Sequence, residues 1–68
     1  MRVYVNGEPR EFSGLLSLAE LITQLDLPAQ RIAVELNRTV VRRGDWSTIE
    51  LHDDDRVEIV HFVGGGRS

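Results

Sequence analysis

Polar and apolar residues alternate at the start of the chain, Arg2-Val-Tyr-Val-Asn6, with the period of two expected of a half-buried strand. Asn6-Gly7 follows, a pair in which both residues tolerate positive φ and which therefore marks a tight hairpin. A return strand is predicted over residues 9–12. The period then changes. Leu18, Leu21, Ile22 and Leu25 recur at i, i+3, i+4 and i+7, one apolar stripe along a helix. Ser17 at the N-cap and Glu20 three positions on form an S-x-x-E capping box, and Leu16 and Leu21 stand where a hydrophobic staple would close. Asp26-Leu27-Pro28 ends the element, because proline restricts the residue before it and cannot continue a helix.

Alternation returns at residues 32–37, predicted as a central strand with Ile32, Val34 and Leu36 inward. Asn37-Arg38-Thr39 reads as a turn into a short strand at Val40-Val41. Around Arg43-Gly44-Asp45-Trp46 the pattern breaks, and a single turn of 3₁₀ or irregular helix is expected. Residues 47–51 are expected to form a short edge segment, Asp53-Asp54-Asp55 a polar turn, and residues 56–63 the final strand. One amphipathic helix can bury its stripe only against one face of one sheet. The predicted fold class is therefore α+β, a β-grasp: a mixed sheet of four to five strands covered on one face by a single main helix. Its first and last strands should be parallel neighbours at the centre. The globular domain is placed at 1–63 and a flexible glycine-rich tail at 64–68, since glycine has no side chain with which to anchor itself.

Sixty-eight residues make one domain with a small core. No cysteine is present, which excludes disulfides, thiolate metal sites and a cysteine nucleophile, and makes a reducing, cytoplasmic setting the expectation. No apolar run is long enough to span a bilayer, so no membrane partner is expected. Eight basic residues against eleven acidic ones give a formal charge of −3, and the arginines are scattered, which argues against nucleic acid as a partner. All eight are arginine. Coding bias explains this, and so does the advantage of lacking an ε-amine that could capture an activated acyl group.

Candidate catalytic groups are few. His52 and His61 match no metal-ligand spacing, and no cysteine completes a zinc set. Asp53-Asp54-Asp55 lacks the alternate spacing, central glycine and terminal glutamate of a calcium loop. Serines 13, 17 and 47 have no nearby base. Gly64-Gly65-Gly66 follows a strand but opens no helix, so it is no phosphate loop. No catalytic residue, metal or bound cofactor is assigned, and an enzyme is not expected.

The tail carries the remaining chemistry. Three glycines form a thread without Cβ atoms, able to enter a narrow channel and offer a terminal carboxylate to another protein's active site. A carboxylate with a pKa of about 3.3–3.7 is ionised at neutral pH and is a poor electrophile. Accepting a nucleophile requires conversion to a mixed anhydride, which implies ATP and a partner enzyme. A frayed terminus or linker is the plain alternative. With Val57 and Ile59 inward, the pleat sends Glu58, Val60 and Phe62 to the opposite face, and Tyr4 joins them if Val3 and Val5 are inward. Tyr4, Val60 and Phe62, with Gly64 at the base of the tail, are the candidate partner-binding residues.

The chain resembles the ThiS family of sulfur carriers, which are ubiquitin-like β-grasp proteins of bacterial thiamine biosynthesis. The resemblance rests on Val-x-Val-Asn-Gly-Glu at 3–8, Leu-Ala-Glu-Leu-Ile at 18–22, Ile-Ala-Val-Glu-Leu-Asn at 32–37 and Val-x-Arg-x-x-Trp at 41–46. It ends on Leu51-x-Asp53-x-Asp55-Arg-Val-Glu-Ile-Val60 and Phe62-Val-Gly-Gly-Gly66. It implies that Gly65 and Gly66 are the reactive terminus, with the Gly66 carboxylate adenylated and then converted to a thiocarboxylate. The implied partners are an E1-like adenylating enzyme of the ThiF type, which uses ATP and Mg, a cysteine desulfurase or other sulfur donor, and a thiazole synthase of the ThiG type. Asp54 stands where family members commonly have glycine. Arg67-Ser68 extends past the glycines, so the pair is either removed by a peptidase or is a cloning remnant. Carriers for molybdopterin or cysteine synthesis share the fold and the chemistry, and a ligand- or RNA-binding β-grasp module is the rival of a different class.

Overall fold

The computed structural model describes residues 1–62. Strand β1 (Arg2–Val5) and strand β2 (Glu8–Glu11) form the opening hairpin, paired antiparallel from Arg2 opposite Glu11 to Val5 opposite Glu8. Asn6 and Gly7 sit at φ of 50° and 84°, the two left-handed residues that this turn requires. Helix α1 (Leu18–Gln24) begins on the predicted cap. The Ser17 hydroxyl accepts the Glu20 N–H at 3.0 Å and the Glu20 carboxylate accepts the Ser17 N–H at 2.7 Å. The helix closes through Asp26, whose φ of 58° turns the chain while its N–H returns to the Thr23 carbonyl at 3.0 Å. A 3₁₀ turn over Ala29–Arg31, absent from the sequence reading, then leads into strand β3 (Ile32–Leu36).

Strand β4 (Thr39–Val41) returns antiparallel to β3 through Asn37 and Arg38, both at positive φ. The expected break follows as 3₁₀ helix over Arg43–Thr48, with Trp46 buried and its indole N–H donating to the Val41 carbonyl at 3.0 Å. Residues 47–51 are not the expected sheet edge. Glu50 forms one antiparallel bridge with Ser17, the Leu18 N–H donates to Ile49 O and the Leu51 N–H to Leu16 O. Ile49 and Leu51 bring apolar side chains to the helix entrance, where Leu51 is buried, and the segment therefore pairs there. Strand β5 (Asp55–His61) ends the described fold. Val63, placed by the sequence reading in this strand and at the domain boundary, lies outside the described residues, as does the 64–68 tail.

The five strands run in the order β2-β1-β5-β3-β4. β5 is central, parallel to β1 and antiparallel to β3, as the element order implies for a β-grasp. One face of the sheet supplies Val3, Val5, Ile32, Val34, Val57 and Ile59 to the core, and Leu18, Leu21 and Ile22 of α1 close it from above. No polar or charged residue among those described is buried, so the interior that carries stability is apolar throughout. Among the described residues, no helix is long and apolar enough to cross a membrane.

Candidate functional site

The site develops from the face of the sheet that α1 leaves uncovered. Strand pleating places Arg56, Glu58 and Val60 on that face of β5, while Val57 and Ile59 are buried on the other. The face changes character along the strand. At one end the Arg56 guanidinium lies 4.8 Å from the centre of the Tyr4 ring, and the partnered β1 and β2 residues Arg2 and Glu11 form an ion pair at 3.0 Å. The bonded Glu11 carboxylate raises the Arg2 pKa above its already high ordinary value. In the middle, Glu58 stands directly opposite Glu35, and Glu35 opposite Val40. At the far end Val60 faces Ala33, and Phe62 follows with its N–H donating to Arg31 O at 2.7 Å. Val40, Val60 and Phe62 are 67%, 61% and 54% exposed. Val60 and Phe62 lie open to solvent at the end of β5, and Val40 is exposed on β4, level with Glu58.

Of the predicted patch, Val60 and Phe62 lie at this end and Tyr4 does not. Tyr4 is on the predicted face, but its register partner is Arg56, four residues before Val60. At about 3.3 Å per residue that separation is about 13 Å. Ala33 is the register partner of Val60, and Val40 lies one strand beyond, level with Glu58. Alternation in β4 would have put Val40 outward, but a strand of three residues offers little pattern from which to read a face. Gly64, Gly65 and Gly66 lie outside the described residues.

Two asparagines hold β5 from either side. The Asn6 side-chain oxygen accepts the Ile59 N–H at 2.7 Å, just where β1 has turned away into its hairpin and can offer no further carbonyl. Asn37 occupies the matching position after β3, accepting the Arg56 N–H at 2.9 Å and donating to Asp55 at 3.0 Å. Both have φ near 50°, a conformation that asparagine tolerates better than most residues. Asp55 also accepts the His52 N–H at 2.8 Å, closing the polar turn that leads into the strand. Among the described residues, no three metal-ligating side chains gather to hold an ion.

Comparison with known proteins decides the family. The model of the ThiS family matches residues 3–66, nearly the whole chain, and stops on the last of the three glycines. The chain belongs to the ThiS family. The crystal structure of the thiamine biosynthesis protein ThiS of Geobacter metallireducens superposes with a TM-score of 0.84 at 36% identity, covering 97% of this chain and all of that one. The sulfur carrier protein ThiS of Bacillus subtilis is 36% identical over 50 residues, covering 74% of this chain and 76% of its own length. A thiazole synthase of Magnetococcus marinus is 39% identical over 67 residues, which make up 98% of this chain. This ThiS-family chain spans only about a fifth of the length of the thiazole synthases it matches, 21% and 20%.

Proposed function

We propose that this chain is a sulfur carrier for synthesis of the thiazole ring of thiamine, with Gly66 as the residue that is activated and loaded. The observation that carries this reading is the extent of the family match, which includes Gly65 and ends on Gly66. In sequence the glycines come three residues after β5, the central strand, whose end carries the exposed Val60 followed by the exposed Phe62. The chain's own part is to present a carboxylate and a docking face. An adenylating enzyme of the ThiF type supplies ATP chemistry with its magnesium, a cysteine desulfurase or similar donor supplies sulfur, and a thiazole synthase of the ThiG type receives it. The receiving partner has support of its own: relatives named thiazole synthase contain a segment similar to this chain within a protein about five times as long. On the docking face, the Glu35 and Glu58 carboxylates oppose one another at a cost to the free sheet. A basic side chain of a partner would offset that repulsion while its apolar neighbours cover Val40, Val60 and Phe62.

The test is intact-mass analysis of the chain terminated at Gly66, incubated with ATP, magnesium, the adenylating enzyme and a sulfur source. One terminal oxygen should be exchanged for sulfur, located at Gly66 by fragmentation. Removal of Gly65 and Gly66 should abolish the exchange and leave the cooperative melt in place, because every core residue lies at or before Ile59. A chain ending at Gly66 that stays unmodified while the same mixture loads a known carrier would refute the reading.

A further inference from the structure

We infer that the folded body is kept free of acyl acceptors, so that its activated end can be discharged only onto a dedicated partner. This rests on the carrier reading above. The chain has eight basic residues and every one is arginine; it has no cysteine. The fold does not demand guanidinium groups at four of these positions. Arg2 bonds Glu11 through its Nε, Arg10 approaches Glu8 at 3.9 Å and Arg56 covers Tyr4. Arg31, Arg38, Arg42 and Arg43 are exposed and form no ion pair or side-chain hydrogen bond among the described residues. Lysine would satisfy the same solvated surface there. The amino group of Met1 is engaged in the β1–β2 ladder, donating to Phe12 O at 2.8 Å.

The chemistry explains why this matters for an acyl carrier and for few other proteins. Once the Gly66 carboxylate is a mixed anhydride with AMP, a neutral amine can attack its carbonyl carbon. A C–N bond forms, the C–O bond to AMP breaks, AMP leaves and the surplus proton passes to solvent. The amide is a dead end, because the carboxylate needed for the next cycle is gone. An imidazole such as exposed His52 or His61 gives instead an acyl-imidazole that water returns to the carboxylate. Histidine spares the carrier and lysine destroys it. The most dangerous position is Arg31, whose carbonyl holds the Phe62 N–H. Gly66 is four residues further along, a reach of at most about 14 Å for extended chain.

The experiment uses the chain terminated at Gly66, which includes every described residue, prepared with its end as an alkyl thioester to stand for the activated acyl group. It is held at about pH 9, where roughly 4% of lysine amines are neutral. With the Met1 amine acetylated in every variant, the parent should yield only the free acid. Arg31→Lys should accumulate a second product lighter than the acid by one water, an internal amide between Lys and Gly66. Arg42→Lys should give amide-linked dimers that increase with concentration. Matching melts by Trp46 fluorescence establish that all three are folded. Two results would overturn the inference: lysine variants that hydrolyse to free acid at the parent's rate without amide, or a parent that itself forms amides. Because the thioester is made without an adenylating enzyme, this result reads separately from the sulfur-exchange test: failure there removes the carrier reading and the inference with it, whereas failure here overturns the inference and leaves the carrier reading standing.

Discussion

Replacing Asn6 by alanine removes the side-chain oxygen that accepts the Ile59 N–H at 2.7 Å and leaves a residue without asparagine's tolerance for φ of 50°. Ile59 is only 8% exposed, so water does not freely replace the lost acceptor. A buried donor left unpaired costs about 1–3 kcal/mol. Holding an ordinary L-residue in the left-handed region adds about 1 kcal/mol beyond the cost for asparagine. The expected loss is about 3 kcal/mol. A domain of this size has a total stability of roughly 3–9 kcal/mol, so this one side chain accounts for a large share. At about 4–8 °C per kcal/mol for a domain of this length, the melting temperature should fall by about 12–24 °C.

Two companion variants separate the two contributions. Asn6→Gly relieves the backbone but lacks the acceptor, and should fall by about two-thirds as much. Asn6→Asp retains an oxygen in the same place and should stay within about 0.5 kcal/mol of the parent, since the acceptor and the local geometry both survive. The assay is thermal and urea denaturation followed by the fluorescence of Trp46, the one tryptophan of the chain, which is buried at 4% exposure and should shift to the red on unfolding. Equal melting temperatures for the alanine and aspartate variants would refute the reasoning, because the hydrogen bond to β5 would then contribute nothing.

The remaining predictions concern the β3–β4 turn and the open face. Arg38→Gly should stabilise the fold by about 0.5–1 kcal/mol, because Arg38 sits at φ of 72° in a two-residue hairpin turn whose second position favours glycine; the same fluorescence melt reads it, and a lower melting temperature would count against it. Val60→Asp and Phe62→Asp should each weaken binding to the adenylating enzyme by about tenfold or more in calorimetry while leaving the melt within a few degrees, since both side chains are more than half exposed. Tyr4→Asp, on the same face but about 13 Å along the strand, should weaken binding less than either; equal losses at all three would mean that the contact extends over the whole face.

That last contrast also separates what is legible in the amino-acid sequence from what is not. Alternation reports which face a side chain takes, and it placed Val3, Val5, Val57 and Ile59 inward and Tyr4 and Val60 outward in agreement with the structure. The capping box at Ser17 and Glu20 and the turn at Asn6-Gly7 are contacts within a few residues, so their spacing in sequence is nearly their geometry. Register between β1 and β5 is another matter. These strands are joined through some fifty residues of intervening chain, and the offset that brings Tyr4 to Arg56 instead of Val60 is set by how the helix and the β3–β4 hairpin pack between them. The Asn6 clamp is hidden for the same reason: its partner Ile59 lies 53 positions away, so the residue shows in sequence only its local role in the hairpin. Residues 47–51 were misplaced because a short apolar alternation signals burial without naming the neighbour that buries it, and the helix entrance, not the sheet edge, supplies that neighbour. For a carrier, this division has a functional consequence. The residues that face a partner can be listed from the pleat alone, but whether they reach it together depends on long-range register, which sets Val60 opposite Ala33 at one end of β5 and Tyr4 beside Arg56 at the other.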